Sequence, residues 1–312
     1  MKTCIYLSYK GLGANLLHLA YCHEIAKKYG PVTILTLCKN LEATLKHDPL
    51  IKKVVLIDKF HKRFIDILKL KDVLKNFNFE QIYIFYPSLR IYLASVLSNI
   101  KKIYCYPLFK SKNLHLVNAA KEFTEKSLKI KNCPTETKFF INKVEIDNIN
   151  KKFETNKFKI IIGAGSSGPT TKWGSKNFYE LINKLNNTDD YFFFILCGPS
   201  DKDLSDDITN NIDKKNFIPL YDKKIEDVIP YLCSANMYVG NDSFGSHIAA
   251  QSGLKSLVIL LDSPKAYTDY SKNYRRIFPE NIKIENITHG SNLDPNDVAV
   301  KKVYEEILKN RS

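Results

Sequence analysis

The stretch Ile229–Leu261, IPYLCSANMYVGNDSFGSHIAAQSGLKSLVILL, determines the predicted fold. Its two short apolar runs, Met237–Gly240 and Ser256–Leu261, are typical of buried parallel strands. The small residues of Ser246–Ser252 between them are compatible with a helix. The pattern therefore predicts a βαβ unit of a parallel sheet, and ligands bind at the carboxyl edge of such sheets.

The turn after the first of these strands carries the first candidate ligand-binding residues. It combines a carboxylate at Asp242, a hydroxyl at Ser243 and an imidazole at His247, where a helix is predicted to begin. Free N–H groups at a helix N-terminus favour anions, phosphate above all. The alternative is structural, with Asp242 and Ser243 capping the helix and His247 packing in the core.

Length and composition set the limits of the interpretation. The 312 residues allow one large domain or two of ordinary size, and a chain that is 44% hydrophobic and 26% charged can bury a core. We find no apolar run of the ~18 residues that span a bilayer and no signal-peptide pattern at the start, so we expect a cytoplasmic protein. The seven cysteines form no C-x-x-C pair, which favours reduced thiols over disulfides or zinc.

The net charge of +14 and the isoelectric point near 9.2 indicate an anionic partner or substrate. Part of the lysine excess accompanies a general enrichment in Ile, Asn, Tyr and Phe. No arginine-rich tract, zinc-finger spacing or aromatic RNA-binding signature supports nucleic acid, so we expect no nucleic-acid partner. An anionic acceptor at a membrane surface fits the charge at least as well, and it would allow a peripheral position on the inner face of the membrane.

The first half of the chain opens in the order strand, glycine-bearing turn, helix and strand. The turn KGLG at Lys10–Gly13 separates a strand at Thr3–Ser8 from a helix at Ala14–Tyr29. It lacks the third glycine and the later acidic residue of a dinucleotide fingerprint, so we expect it to bind another ligand. Arg90 lies between a predicted strand and helix, where it can bind phosphate or carboxylate or be a solvated surface residue.

A change in composition divides the chain. Residues 129–156 are polar, rich in lysine and asparagine, and weakly periodic, which is typical of a linker. We therefore predict one Rossmann-like domain over residues 1–153 and a second over residues 154–312.

Two loops of the second domain carry further candidates. The first, GAGSSGPTTKW at Gly163–Trp173, is rich in glycine and hydroxyl groups and places Lys172 near the start of a helix. Such a loop can enclose phosphate oxygens, or it can be a flexible surface loop. Because Trp173 follows the lysine, it is not an ATP-hydrolysing P-loop. The second loop, after the strand Tyr191–Leu196, places Asp201 where it can accept hydrogen bonds from ribose hydroxyls.

Three linked segments of this domain resemble glycosyltransferase family 9, the lipopolysaccharide heptosyltransferases. They are GAGSSGPTTKWGSKNFYEL, FILCGPSD and VGNDSFGSHIAAQSGL, in that order over roughly Lys159–Leu261. The first half is similar more loosely, through KGLGANLLH, the strand before Arg90 and the helix His115–Leu128. The resemblance implies an α/β, GT-B-like architecture of two Rossmann-like parallel-sheet domains facing across a cleft, with no metal or other cofactor.

The resemblance also implies which residues bind each substrate. It assigns the nucleotide-sugar donor to the second domain, with Lys172 on the pyrophosphate, Asp201 facing the nucleotide and Asp242 leading the third motif. It assigns the glycolipid or oligosaccharide acceptor to the first domain. The other donor-site residues are Ser166, Ser167, Ser243, Gly245 and His247, and the acceptor-site residues are Lys10, Gly13, Arg90 and His115.

The sequence departs from the family pattern at the general base. The family has an aspartate after the glycine of the first loop, whereas Ala14 stands there and cannot accept a proton. Asn15 can orient a hydroxyl but is no base at neutral pH. His18, on the same helical face and with an ordinary pKa of about 6.5, is the substitute candidate. The alternative is that His18 packs in the core or orients the acceptor.

The sequence as a whole predicts an inverting, metal-independent glycosyltransferase. It would move a sugar, heptose from ADP-heptose above all, to lipopolysaccharide or a related surface glycan. The competing class is a degenerate transferase that binds nucleotide sugar without turnover, which Ala14 suggests. A nucleic-acid binder is a third reading that rests on charge alone.

Overall fold

The computed structural model describes residues 1–57, 64–107, 116–153, 155–166, 172–187 and 190–311. The chain divides into two compact units, Met1–Phe140 and Ile141–Ser312. Each unit contains one sheet of parallel strands connected by helices, so the α/β class predicted from the sequence is confirmed.

The first unit alternates strands and helices. Its elements are β1 (Thr3–Leu7), α1 (Leu12–Leu17), α2 (Leu19–Tyr29), β2 (Val32–Thr36), α3 (Leu41–Thr44), β3 (Ile51–Leu56), α4 (Asp66–Phe77), β4 (Gln81–Ile84), α5 (Leu89–Leu97), β5 (Lys102–Cys105) and α6 (Leu116–Leu128). The strand order is β3-β2-β1-β4-β5, with every pair parallel. The chain leaves β1 in one direction and β4 in the other, so the switch point lies between these two strands.

The predicted helix Ala14–Tyr29 is in fact two helices that meet at His18. In a continuous α-helix the His18 N–H would bond to the carbonyl of Ala14. Here the His18 side-chain Nδ1 bonds to that carbonyl at 2.7 Å, and the His18 N–H bonds instead to Asn15 O at 3.0 Å. Competition from a side chain for a backbone group therefore interrupts the helix.

The second unit has the same plan with a larger sheet. Its elements are α7 (Lys143–Lys152), β6 (Phe158–Gly163), α8 (Ser175–Asn186), β7 (Tyr191–Leu196), α9 (Lys202–Thr209), β8 (Phe217–Pro219), α10 (Ile225–Ser234), β9 (Met237–Asn241), α11 (Phe244–Gln251), β10 (Lys255–Ile259), β11 (Tyr274–Ile277) and α12 (Val300–Asn310). The order is β11-β10-β9-β6-β7-β8, all parallel, with the switch point between β6 and β9.

The stretch interpreted as a linker contains a helix. Helix α7 lies within residues 129–156 and packs on α10, and the ring of Phe153 lies 5.9 Å from that of Tyr231. Apolar contacts thus attach α7 to the second unit, and the division between the two units falls within the stretch, after Phe140.

The thiols and helices agree with the composition. All seven cysteines are free thiols, five of them buried and two, Cys105 and Cys233, partly exposed. Within the described residues, no helix combines the length and apolarity that crossing a bilayer requires.

Candidate functional site

Residues of three loops contact one another at the carboxyl edge of the second sheet, beside its switch point. Lys172 Nζ, from the loop after β6, lies 3.6 Å from Asp201 Oδ1 in the loop after β7. The Ser166 hydroxyl donates to the backbone carbonyl of Asp242 after β9 at 3.5 Å. The structure thus brings these four predicted residues together, while Ser167 lies outside the described residues.

Trp173 fixes the position of Lys172. Its ring is fully buried, and its indole N–H donates to Val298 O at 2.9 Å. Its backbone N–H donates to Asn241 Oδ1 at 3.0 Å, and Asn241 Nδ2 donates to Ala164 O at 2.7 Å. Asn241 therefore links the loops after β6 and β9 by hydrogen bonds. Lys172 adjoins the buried Trp173, and its own side chain is 35% exposed.

Gly163 leaves space for a buried tyrosine that contacts the turn after β9. A Cβ atom at Gly163 would lie 1.9 Å from the Tyr238 hydroxyl oxygen, so only glycine leaves space for this ring. The Tyr238 hydroxyl donates to Asn241 O at 2.6 Å and lies 3.0 Å from Ser243 Oγ. The position of the candidate phosphate-binding turn therefore depends on a buried tyrosine beside a glycine.

Asp201 holds the second loop close to the first. Its Oδ2 accepts a hydrogen bond from the Gly198 N–H at 3.2 Å, while Oδ1 faces Lys172. A Cβ atom at Gly165 would lie 3.1 Å from Asp201 Oδ2 and 2.8 Å from Cys197 Cα. Glycine at this position therefore permits the close approach that brings Lys172 and Asp201 together.

Asp242 binds side chains rather than capping α11. The cap residue Ser243 makes no side-chain hydrogen bond to the helix, so the capping alternative does not describe this turn. Asp242 Oδ2 accepts a hydrogen bond from the Ser263 hydroxyl, and Oδ1 lies 3.6 Å from His247 Nε2. Gly245 lets α11 pack onto the end of β7, since a Cβ there would lie 2.3 Å from Leu196 Cδ2.

His247 lies buried among tyrosine hydroxyls. Its Nδ1 is 2.7 Å from the hydroxyl of Tyr270 and 3.1 Å from that of Tyr274. Gln251 Nε2 donates to the Tyr270 oxygen at 3.4 Å, and the hydroxyl oxygens of Tyr270 and Tyr274 lie 3.1 Å apart. The other ring nitrogen of His247, Nε2, faces Asp242. Burial lowers the pKa of His247, and the Asp242 charge opposes that shift.

Sequence reasoning missed Ser263, Tyr270 and Tyr274. Ser263 follows β10 at the same sheet edge as the predicted loops, so the carboxyl-edge rule applied to the strand Ser256–Leu261 could have found it. The two tyrosines reach His247 from the segment that leads into β11 and from β11 itself, a strand that was not predicted.

The first unit has a cavity of about 410 Å³ at its own switch point. Lys10 and Tyr9 line it from the turn after β1, and Arg90 and Tyr86 line it from the segment after β4. Burial raises the pKa of Tyr6 to about 12, and the charge of Arg90 opposes that shift. Lys10 and Arg90 thus place two positive charges at a cavity large enough for a small ligand. The other predicted acceptor residues do not line it in this way: Gly13 lies within α1, and His115 is outside the described residues.

The side chain of Asn15 makes its hydrogen bonds within the first unit. It is 1% exposed, and its Nδ2 donates to Tyr9 O at 3.0 Å and to Gly11 O at 2.7 Å. Its Oδ1 accepts a hydrogen bond from the Thr36 hydroxyl at 3.1 Å. Asn15 therefore fixes the turn after β1, and both polar atoms of its buried side chain make hydrogen bonds inside the unit.

His18 is fully buried, with its ring stacked on that of Tyr9 at 4.9 Å and edge-on to that of Phe85 at 5.6 Å. Because Ala14 O can only accept, the proton lies on Nδ1, and Nε2 has no hydrogen-bond partner in the described part of the chain. Burial lowers the pKa of His18 to about 4, and the bond to Ala14 offsets part of the shift. This shift moves the pKa of His18 below the neutral range expected of a general base, and its role as the base stays a prediction.

A profile of glycosyltransferase family 9 (heptosyltransferase) matches residues 103–285, which is more than half of the chain. The chain belongs to glycosyltransferase family 9. The match contains the loops of Lys172, Asp201 and Asp242, and it excludes the turn with Ala14 and the Arg90 segment.

Solved structures have the same fold as this family 9 glycosyltransferase. Escherichia coli ADP-heptose lipopolysaccharide heptosyltransferase II is 14% identical with a TM-score of 0.77, over 100% of both chains. E. coli heptosyltransferase WaaC with ADP is 15% identical with a TM-score of 0.71, over 99% of this chain and 100% of that one. A family 9 protein from Veillonella parvula is 14% identical with a TM-score of 0.73, over 98% of this chain and 97% of that one. The family and the GT-B-like class predicted from the sequence are confirmed.

No curated protein sequence matched the chain. Among the described residues, no group of three or more His, Cys, Asp or Glu side chains is arranged to hold a metal ion.

Proposed function

We propose that this glycosyltransferase transfers heptose from ADP-heptose to lipopolysaccharide or a related surface glycan, with inversion and without a metal ion. The observation that carries the proposal is the meeting of Lys172, Ser166 and the uncapped start of α11 at one switch point. Heptosyltransferase WaaC has been solved with ADP and with ADP-2-deoxy-2-fluoro heptose, which supports this class of donor.

The donor-side chemistry requires stabilisation of a leaving diphosphate. An acceptor hydroxyl oxygen attacks the anomeric carbon from the face opposite the nucleotide, the bond from that carbon to the phosphate oxygen breaks, and the hydroxyl proton passes to a base in the site or to solvent. Negative charge then grows on the departing ADP. In this proposal the Lys172 ammonium and the N–H groups at the start of α11 meet that charge, and Asp201 accepts hydrogen bonds from the ribose.

On the acceptor side, we propose that the cavity in the first unit binds the sugar through Lys10 and Arg90. Asn15 and His18 are buried, so their part in this proposal is to position the turn after β1. We also propose a cytoplasmic protein with peripheral contact to an anionic membrane, which the net charge of +14 supports.

A second candidate function is nucleotide-sugar binding without turnover. It is favoured by Ala14 in place of the family's aspartate and by the burial of His18, the substitute base. In this case the donor loops keep their binding role while the acceptor proton has no acceptor on α1.

Calorimetry with ADP, UDP and GDP tests donor binding, and a mass-spectrometric assay of transfer from ADP-heptose tests turnover. We expect ADP to bind and transfer to persist in EDTA. Binding without transfer to lipopolysaccharide cores of different lengths would favour the second function. Binding of a DNA duplex but of no nucleotide would contradict both.

A further inference from the structure

We propose that the outer face of α4 and α5, with the two residues before α4, is the surface by which this protein binds an anionic lipid bilayer. We call this the α4–α5 surface; it consists of Phe64, Ile65, Leu68, Leu89, Val96 and Leu97. The inference rests on the peripheral membrane contact proposed above and names the part of the chain that makes it.

Exposed apolar side chains are concentrated on this surface. Phe64 is 74% exposed, Leu68 54% and Leu97 52%. Within the described ranges, the large apolar side chains exposed outside residues 56–97 are Met1, Val144 and Leu308, which are far apart in sequence. Single exposed apolar residues are normal, whereas a group on two packed helices marks an interaction site.

Helices α4 and α5 pack against each other and against the sheet. Helix α4 packs along α5, and the Ser98 hydroxyl donates to Lys71 O at 3.0 Å. Their inner residues, such as Leu70 and Ile91, are buried against the sheet. Arg90 is the one charged residue of α5, LRIYLASVL, and a helix so apolar on all sides is normally buried. In the described part of the chain, however, no segment packs over the outer face of α5.

The charge around the surface selects lipid over another apolar partner. The described residues 64–107, which contain both helices, have six Lys or Arg and three Asp or Glu, a net charge of +3. Lys69 and Lys75 of α4 are exposed, and the exposed carboxylate of Asp72 is paired with Lys71 at 3.4 Å. Apolar side chains that enter the lipid, surrounded by lysine at the level of the headgroups, are the features of an interfacial helix on anionic lipid.

The surface also adjoins the cavity of the first unit. Leu70 of α4 and Arg90 and Ile91 of α5 line that cavity, so the helices that would rest on lipid also form its wall. A glycolipid acceptor could then reach the cavity without leaving the bilayer.

The test compares two double variants with the same change in charge. Leu68→Glu with Leu97→Glu alters the surface, and Val144→Glu with Leu308→Glu alters exposed positions in the second unit. Co-sedimentation with phosphatidylglycerol vesicles, and with phosphatidylcholine vesicles as the neutral reference, measures binding. We expect the surface variant to lose about tenfold or more in partitioning and the control variant to stay near the parent.

Three outcomes would overturn the inference. Equal losses in the two variants would show that net charge alone governs binding. A parent that does not bind phosphatidylglycerol vesicles would remove the membrane contact itself. A parent dimer that the surface variant converts to monomer would assign the surface to a second copy of the chain. Calorimetry with ADP on each variant shows that the fold is intact and tests the transferase proposal separately; Phe64→Glu is the fallback if the double variant does not fold.

Discussion

Lys172 allows a direct test of the donor site, because its charge can be removed without changing the buried Trp173 beside it. We expect Lys172→Ala to weaken ADP binding about tenfold, since a charge-assisted contact to phosphate is lost from a partly exposed group. Adenosine, which has no phosphate, should lose little. Calorimetry with both ligands measures the difference.

Lys176→Ala is the matched control, because it removes the same charge from an exposed position in α8. It should bind ADP as the parent does. If Lys172→Ala also binds ADP like the parent, Lys172 does not contact the pyrophosphate.

We expect His18 to make the free energy of unfolding depend on pH in the acid range. Its folded pKa is lowered to about 4 by burial, below the unfolded value of about 6.5. As pH falls below about 6.5, the unfolded chain takes up a proton that the folded chain does not, so stability decreases toward pH 4, by about 3 kcal/mol for this group. Above that window the contribution is fully present.

Urea unfolding between pH 7 and pH 5 measures this effect. His18→Gln should give a flatter dependence on pH, whereas His289→Gln, at an exposed position, should keep the slope of the parent. For the same reason, we expect His18 to contribute no rise of kcat/KM through neutral pH. Unchanged slopes in both variants would show that His18 is not the source.

At the scale of elements, the packing of the Tyr238 ring of β9 over β6 depends on Gly163. Gly163→Ala would place a methyl group 1.9 Å from the Tyr238 hydroxyl oxygen, and the strand cannot move away because both neighbouring strands pair with it. We expect a loss of about 1–3 kcal/mol in the free energy of unfolding and weaker ADP binding, because Tyr238 holds the turn at Ser243.

Denaturant unfolding and calorimetry measure the two effects. Gly11→Ala is the control, because a Cβ there meets no atom within 4 Å and the residue has φ −71°. Parent-like stability for Gly163→Ala would mean that Tyr238 can leave its position at little cost.

Element boundaries were predictable where they depend on local sequence. Strand β7 begins and ends at the predicted residues because it is a continuous apolar run, and α8 begins shortly after Lys172 as predicted, directly after a glycine. The break at His18 was not predictable from spacing, since it depends on which side-chain rotamer reaches the carbonyl of Ala14.

At the scale of the whole molecule, a substitution at Ala14 tests which of the two proposed functions applies. We expect Ala14→Asp to raise kcat/KM for transfer from ADP-heptose by about two orders of magnitude or more, because it restores a carboxylate at a partly exposed position of α1. A negative charge in the first turns of α1 is also favoured by the helix dipole. The transfer assay on parent and variant decides between the two functions.

Ala14→Asn is the control, because it introduces a side chain of the same shape that cannot act as a base. A parent that is fully active and gains nothing from Ala14→Asp would show that the acceptor proton leaves by another route. Equal gains for both variants would point to an effect of shape rather than of proton transfer.

The sequence by itself determined the parallel α/β class, the family, and the position of Lys172, Asp201 and Asp242 at one sheet edge. These follow from local features, namely apolar strand runs, small-residue turns and motif order, and the parallel strands bring the loops together. The tertiary structure alone decided that Asn15 and His18 are buried and that distant Ser263, Tyr270 and Tyr274 complete the surroundings of Asp242 and His247. Burial and contacts between remote residues are products of packing, which no single stretch of sequence contains.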